Sequence, residues 1–398
     1  MSKTLNSETT PCDTRLSFTS TDSNHDDDVF ILATCTQTPV LAMGGDLKAR
    51  ACLLDGRTAT MSRCLENVND STQYRAYCKM IDGLIEALGS NAKLVAHDLH
   101  PNYLSTRLAQ RMGLPTIGVQ HHHAHIVSVM AEQRLTKPVI GICCDGAGFG
   151  TDDATWGCEV MYCQAGGFKR MGHLDYFPLL GDDAAAIETW RPALALAQQA
   201  IGEDWRHMTT SLFSRVSVDE LNALSRLAKS TIPLHQTSSL GRVFDGVSYL
   251  LGLCDKNTHE AEAAIALERA ATCDHVEPYP YETRAGRDGV RMSLSPALRT
   301  ILSECHDGVP VSLIASRFHE TVARMLSATA VIAAEEAGVR TIVLAGGCFA
   351  NARLRTRVTS RLQQRHYDVA VPLRLPFGDA ALALGQAVVG AAMHGGGG

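Results

Sequence analysis

The chain has 398 residues, 45% hydrophobic and 20% charged, which is long for one core and ample for two domains. Its 36 Lys and Arg against 42 Asp and Glu leave a net charge of −6, so no excess of cations is available to displace counterions along a nucleic acid. No apolar run reaches the roughly 18–20 residues that a membrane helix needs.

Residues 1–28 are polar and end in Asp26-Asp27-Asp28; with no apolar segment of a secretory signal, they are expected to form a disordered tail. Val29–Cys35 and Val40–Met43 read as short strands, and Ala51–Leu54, Asp55-Gly56 and Thr58–Met61 as a hairpin. Tyr74–Leu88 has helical periodicity and stops at Gly89; Leu94–Ala96, Tyr103–Met112 and Thr116–Val119 follow as strand, helix and strand. A second start comes at Val139–Cys144, with a glycine-rich turn after Asp145 and a return strand at Glu159–Cys163. Ala184–Glu268 is helix-rich, Val311–Ala337 is a long helix stopped by Gly338, and Thr341–Ala345 is a buried strand. A last helix spans about Ala380–Met393. The two similar starts predict a duplicated α/β unit with nucleotide between two lobes, residues 29–135 and 136–378. The C-terminal helix and Gly tail, 379–398, are expected to pack back on the first lobe.

Thirteen cysteines, an odd number with several in apolar runs, are expected to be reduced thiols in a cytoplasmic protein. No Cys-x-x-Cys occurs, which argues against a zinc finger.

The strongest chemical signal is Gln120-His121-His122-His123-Ala124-His125 after an apolar strand. On a helix His121 and His125, at i and i+4, share one face and suit one divalent metal. Asp145, beside the end of a buried strand, is the third candidate ligand, and Asp379, before the last helix, the fourth. The metalloprotease Glu is absent, since His122 follows His121. Glycine loops at Asp145–Asp152 and Ala345–Asn351 each follow a strand and are candidate phosphate cradles; neither is a Walker A. Ser238 or Ser239 is a candidate cap of an apolar helix carrying Arg242. Arg242 and Arg191 are candidates to hold a phosphate-bearing donor. His122 and Asp145 are the candidate catalytic residues.

These segments resemble the HypF-type hydrogenase-maturation carbamoyltransferases. The resemblance rests on Val119–His125, Asp98-Leu99-His100-Pro101-Asn102-Tyr103, Gly148–Asp152 with Trp156-Gly157, Thr237–Asp245, Ala345–Asn351 and Leu384-Gly385-Gln386-Ala387, in order along nearly the whole chain. It implies a two-lobed, actin-like ATPase fold with duplicated mixed sheets. It implies metal ligation by His121, His125, Asp145 and Asp379, with iron or zinc as the divalent metal. Nucleotide contacts carry over to Gly148, Gly150, Gly346, Gly347 and Asn351, and Ser239 and Arg242 join them as candidates. The implied activity moves a carbamoyl group from carbamoyl-adenylate, made from carbamoyl phosphate and ATP, to the C-terminal cysteine thiol of a HypE-type maturation partner. This serves cyanide ligand synthesis for NiFe hydrogenase; neither nucleic acid nor membrane is expected as a partner. Two other readings stay open: a non-catalytic nucleotide- or partner-binding paralogue, and a small-molecule O-carbamoyltransferase.

The full-length family carries further domains before this region, where here about 28 polar residues stand. The source of the carbamoyl-adenylate therefore stays open. The family's Ser-Gln-His-Ile-Gly-Asp-Leu reads Ser62-Arg63-Cys64-Leu65-Glu66-Asn67-Val68, and its Asn-Asp-Gly-Gly reads Gly378-Asp379-Ala380-Ala381. Its Glu-Gly-x-Ala-Ala reads Glu260-Ala261-Glu262-Ala263-Ala264. Added Cβ atoms at former glycines restrict close backbone approach.

Overall fold

The computed structural model describes residues 28–89, 92–202, 205, 211–228 and 233–395. The expected N-terminal tail, but for Asp28, and the last three glycines lie outside them.

The first lobe contains β1 (Asp28–Ile31), β2 (Val40–Ala42), β3 (Leu47–Ala49), β4 (Cys52–Asp55), β5 (Thr58–Met61) and β6 (Leu65–Asn67). They are followed by α1 (Ser71–Ala87), β7 (Leu94–Asp98), α2 (Leu104–Arg111), β8 (Thr116–Val119) and α3 (His121–Glu132). The predicted strand from Val29 to Cys35 stops at Ile31. Beyond it the Thr36 hydroxyl bonds both backbone groups of Thr38, a local turn that competes with the ladder.

The second lobe opens with β9 (Val139–Phe149), β10 (Thr155–Gln164), β11 (Gly167–Leu174) and the short β12 (Phe177–Pro178). A mostly helical stretch follows: α4 (Ala184–Ile187), α5 (Trp190–Ile201), α6 (Val218–Ala228), β13 (Gln236–Thr237), α7 (Leu240–Leu250) and α8 (Glu262–Ala270). The chain continues through β14 (Glu282–Gly286), β15 (Gly289–Ser293), α9 (Ser295–His306), α10 (Val311–Ala337), β16 (Thr341–Ala345), α11 (Ala352–Gln363) and β17 (Asp368–Ala370). A 3-10 turn at Asp379–Ala381 leads into α12 (Leu382–Gly395). The helix α10 has the bounds expected from its periodicity, and Gly338 ends it at φ 65° in the left-handed region.

The duplication is explicit in strand order. The first sheet runs β1-β5-β4-β2-β7-β8, and the second includes β11-β10-β9-β16-β17. In each lobe three strands pair antiparallel in chain order, and two parallel strands extend the sheet from the first of the three. Both sheets are therefore the same five-strand unit, extended at the equivalent edge, beyond the third antiparallel strand, by β1 in the first and by the β14–β15 hairpin in the second. This is the two-lobed α/β architecture that the sequence pattern predicts.

The glycine-rich segment after Asp145 is not a free loop, as expected from composition, but the second half of β9. Gly148 pairs with Trp156 and Phe149 with Thr155, so a neighbouring strand supplies the partners that glycine's own propensity does not. Asp145 consequently sits within a strand rather than at its end.

Two helices, α3 and α12, lie between the sheets. One buried apolar cluster joins Val40, Ala42 and Leu94 of the first lobe to Cys143, Met161 and Val343 of the second through Ile126, Val127, Leu382 and Leu384. The helix crossing is tight: a Cβ on Gly385 would lie 1.9 Å from the Ala124 carbonyl oxygen. Gln386 of α12 accepts from the Gly44 N–H at 2.8 Å and donates to the Gly44 carbonyl at 3.3 Å. The last helix is thereby fastened to the turn after β2, and Asp379 at its root faces the first lobe. No helix among the described residues is long and apolar enough to cross a membrane.

Candidate metal centre and cleft

The centre is assembled from three chain segments. Gln120 caps α3, its side-chain oxygen accepting from the His123 N–H at 2.9 Å, so the helix begins at His121. His121 and His125 then share a face and are buried against β9. Strand β9 supplies Asp145. Gly378, at φ 97°, turns the chain so that Asp379 enters from the start of the last helix. Asp145 Oδ2 lies 3.0 Å from His125 Nε2 and 3.3 Å from His121 Nε2. Asp379 Oδ1 lies 3.5 Å from His125 Nε2 and 3.6 Å from His121 Nε2. One ligand atom from each of the four falls within 4.8 Å of all the others.

The electrostatics match that geometry. Burial opposes charge on His121, but Asp98, Asp145 and Asp379 outweigh it and hold its pKa well above the ordinary range. Burial likewise opposes charge on His125, and Asp145 and Asp379 raise it. The carboxyls of Asp145 and Asp379 are held low against burial, which alone would raise them, by hydrogen bonds from the two histidines. Asp145 is fixed through its other oxygen: Oδ1 accepts from the N–H groups of Gly146 at 2.8 Å and Gly347 at 3.1 Å. Two imidazole nitrogens and two carboxylates converging in a mostly buried site fit a divalent iron or zinc ion.

A family model described as carbamoyltransferase, Kae1-like domain, second subdomain, matches residues 141–386, and the HypF Kae1-like domain matches residues 35–132. The chain belongs to the HypF carbamoyltransferase family. It is 36% identical over 366 residues to a carbamoyltransferase HypF homolog of Cupriavidus necator, covering 89% of this chain and 91% of that protein. It is 31% identical over 367 residues to carbamoyltransferase HypF of a Synechocystis species, covering 88% of this chain but 47% of that protein. A crystal structure of full-length HypF in a phosphate- and nucleotide-bound form superposes with TM-score 0.87 at 32% identity, over 91% of this chain and 47% of that one. HypF of T. kodakarensis gives TM-score 0.83 at 29% identity, over 92% of this chain and 49% of that one. The chain thus spans about half the length of these longer HypF proteins and nine-tenths of the short homologue.

The remaining candidate residues of this HypF relative occupy several surroundings. A Cβ on Gly148 would stand 2.6 Å from His122 Cε1 and 2.7 Å from His121 Cδ2, and one on Gly150 would stand 2.3 Å from Trp156 Nε1. Both glycines make room for the protein's own rings. Gly346, at φ 90°, passes so close to Cys144 that a Cβ would lie 2.4 Å from its carbonyl oxygen. Ser239 caps α7, accepting from the Arg242 N–H at 3.0 Å and donating to the Gly146 carbonyl at 2.6 Å. Arg242 Nη2 pairs with Asp245 Oδ2 at 2.7 Å, while its buried Nε has no acceptor among the described residues. Arg191 pairs with Glu188 at 2.5 Å. Asn351 caps α11 through Oδ1 and donates from Nδ2 to His319 Nε2 at 3.0 Å.

His122 is fully buried, and burial followed by the charge of His121 pushes its pKa well below the ordinary range. Gln120 Nε2 donates to the Phe149 carbonyl at 3.1 Å and approaches His122 Nδ1 at 3.2 Å. An amide nitrogen can only donate, so His122 carries its proton on Nε2, an atom with no acceptor among the described residues.

Sequence reasoning assigned no role to Asp98. Its side chain is fully buried, with Oδ2 2.8 Å from His121 Nδ1. The available signal was an acidic residue closing a buried strand just before His100, the same kind of position that drew attention to Asp145.

Proposed function

We propose that this chain transfers a carbamoyl group from carbamoyl-adenylate to the C-terminal cysteine thiol of a HypE-type maturation partner in the cytoplasm. The adenylate derives from carbamoyl phosphate and ATP, and the product serves the cyanide ligands of NiFe hydrogenase. The observation that carries this reading is the convergence of His121, His125, Asp145 and Asp379 between two duplicated lobes, in a chain whose relatives are named carbamoyltransferases.

His121, His125, Asp145 and Asp379 would hold a divalent cation, which when bound would supply positive charge to offset the negative charge that grows on the carbonyl oxygen as a thiolate attacks and AMP departs. The protein's own groups do the positioning. Gly146 and Gly347 hold Asp145 by its outer oxygen. His122 offers a neutral Nε2–H whose proton is placed by Gln120, a donor for an oxygen of the bound carbamoyl group. The nucleotide is proposed to lie against Gly346, Gly347 and the free Nε–H of Arg242. Gly148, Gly150, Ser239 and Asn351 shape the walls around it.

The test is incubation of the chain with carbamoyl phosphate, ATP and a partner bearing a C-terminal cysteine, read by intact mass of the partner. The expected product is a carbamoyl adduct at the terminal thiol. If no adduct forms even when carbamoyl-adenylate is supplied directly, the non-catalytic reading replaces this one.

A further inference from the structure

We infer that Asp98 is a positioning residue that sets the proton of His121, and that its two oxygens make asparagine a worse replacement than alanine. This rests on the metal reading of the centre given above. Asp98 Oδ2 faces His121 Nδ1 at 2.8 Å, and Asp98 Oδ1 accepts from the backbone N–H of His100 at 2.8 Å. A carboxylate only accepts, so His121 donates from Nδ1. A cation that took the place of the Nε2 proton shared with Asp145 would leave the Nε2 lone pair directed at the point shared with His125, Asp145 and Asp379.

The His100 N–H decides what an amide would do here. In Asp98→Asn the amide oxygen must face that backbone donor, which turns the NH2 group toward His121. His121 Nδ1 then has to accept, its proton moves to Nε2, and the nitrogen that ligates a cation is blocked. Rotating the amide to restore the original tautomer sets its NH2 against the partly buried His100 N–H. Alanine imposes neither penalty: it removes the orienting acceptor but leaves His121 free to choose its tautomer. An isosteric amide in place of an aspartate that orients a histidine favours the wrong tautomer by the same logic.

The experiment is calorimetric titration of Zn2+ into metal-free wild type, Asp98→Ala and Asp98→Asn. It is paired with nitrogen chemical shifts of 15N-labelled histidine in the same samples. Asp98→Ala is expected to bind about 10- to 100-fold more weakly than wild type, the usual effect of losing such a support. Asp98→Asn should bind at least about tenfold more weakly still, and His121 should show Nε2 protonated. Asparagine binding as well as or better than alanine, or a His121 signal with Nδ1 protonated in Asp98→Asn, overturns the inference. The histidine signal also separates a tautomer effect from partial unfolding, which would broaden all histidines alike. Absence of Zn2+ binding by the wild type would instead overturn the metal reading itself, and this inference with it.

Discussion

Gly148→Ala separates two uses of a glycine beside a metal centre. The added Cβ would lie 2.6 Å from His122 Cε1, 2.7 Å from His121 Cδ2 and 2.8 Å from His121 Cγ. Carbon atoms in ordinary contact stand about 3.5–4.0 Å apart, so the overlap is about 1 Å against two rings. Both rings are fully buried. His121 is tied to Asp98 at 2.8 Å and faces the rings of His122 and His125 at centroid distances of 5.4 and 4.9 Å. Overpacking of this kind costs about 1–3 kcal/mol. Metal–ligand distances are held to about 0.2 Å, so a ring displaced by a large part of an ångström no longer completes the site. The expected result is a lower denaturation midpoint and at least about tenfold weaker Zn2+ binding in calorimetry. Gly146→Ala is the internal control, because a Cβ there meets nothing within 4 Å. It should change stability by no more than about 0.5 kcal/mol and leave Zn2+ binding unchanged. If both variants bind Zn2+ alike and unfold alike, the argument that Gly148 exists to admit the histidines is wrong. If Gly148→Ala lost nucleotide affinity alone, its role would be at the phosphate instead.

Three further outcomes are expected. Gly347→Val should weaken ATP binding several-fold in calorimetry with the fold intact by circular dichroism, since even its Cβ would stand 3.0 Å from Asp145 Oδ1; unchanged affinity would make the loop a plain turn. Ala261, at φ 58°, occupies the left-handed region where the family pattern has glycine; Ala261→Gly should therefore raise unfolding free energy by about 1 kcal/mol in urea titration, and a loss of stability would contradict the strain. The chain should slowly release inorganic phosphate from carbamoyl phosphate in the presence of ATP, above an Asp145→Ala control. Release no greater than that control, with transfer restored by separately supplied carbamoyl-adenylate, would assign donor activation to another protein.

Much of the site was legible because its key residues are local signals. The spacing of His121 and His125 needs only a helix to bring two nitrogens together, and the apolar strand before Gln120 announces that the helix starts inside the protein. Val311–Ala337 was legible to the residue because apolar periodicity and a terminal glycine agree. What escaped were facts created by tertiary pairing. The glycines after Asp145 read as a loop, yet β10 recruits them into a strand and the histidines fill the space that they leave. Asp98 and Asp145 each follow a buried apolar run, but only the fold, with Asp98 at the end of β7 and Asp145 inside β9, sets Asp98 behind a ligand and Asp145 in front of it. Asn351 read as a ligand contact, while its hydrogen bonds to Leu354 and His319 show how much helix capping it performs; the cap expected at Ser238 or Ser239 is made by Ser239, which also bonds Gly146.

The central claim is that His121, His125, Asp145 and Asp379 act as one metal centre across the two lobes. Elemental analysis of the purified chain against His125→Ala tests it most directly. About one divalent ion per wild-type chain, lost in His125→Ala, is the predicted result. Full metal content retained by a folded His125→Ala variant would contradict it.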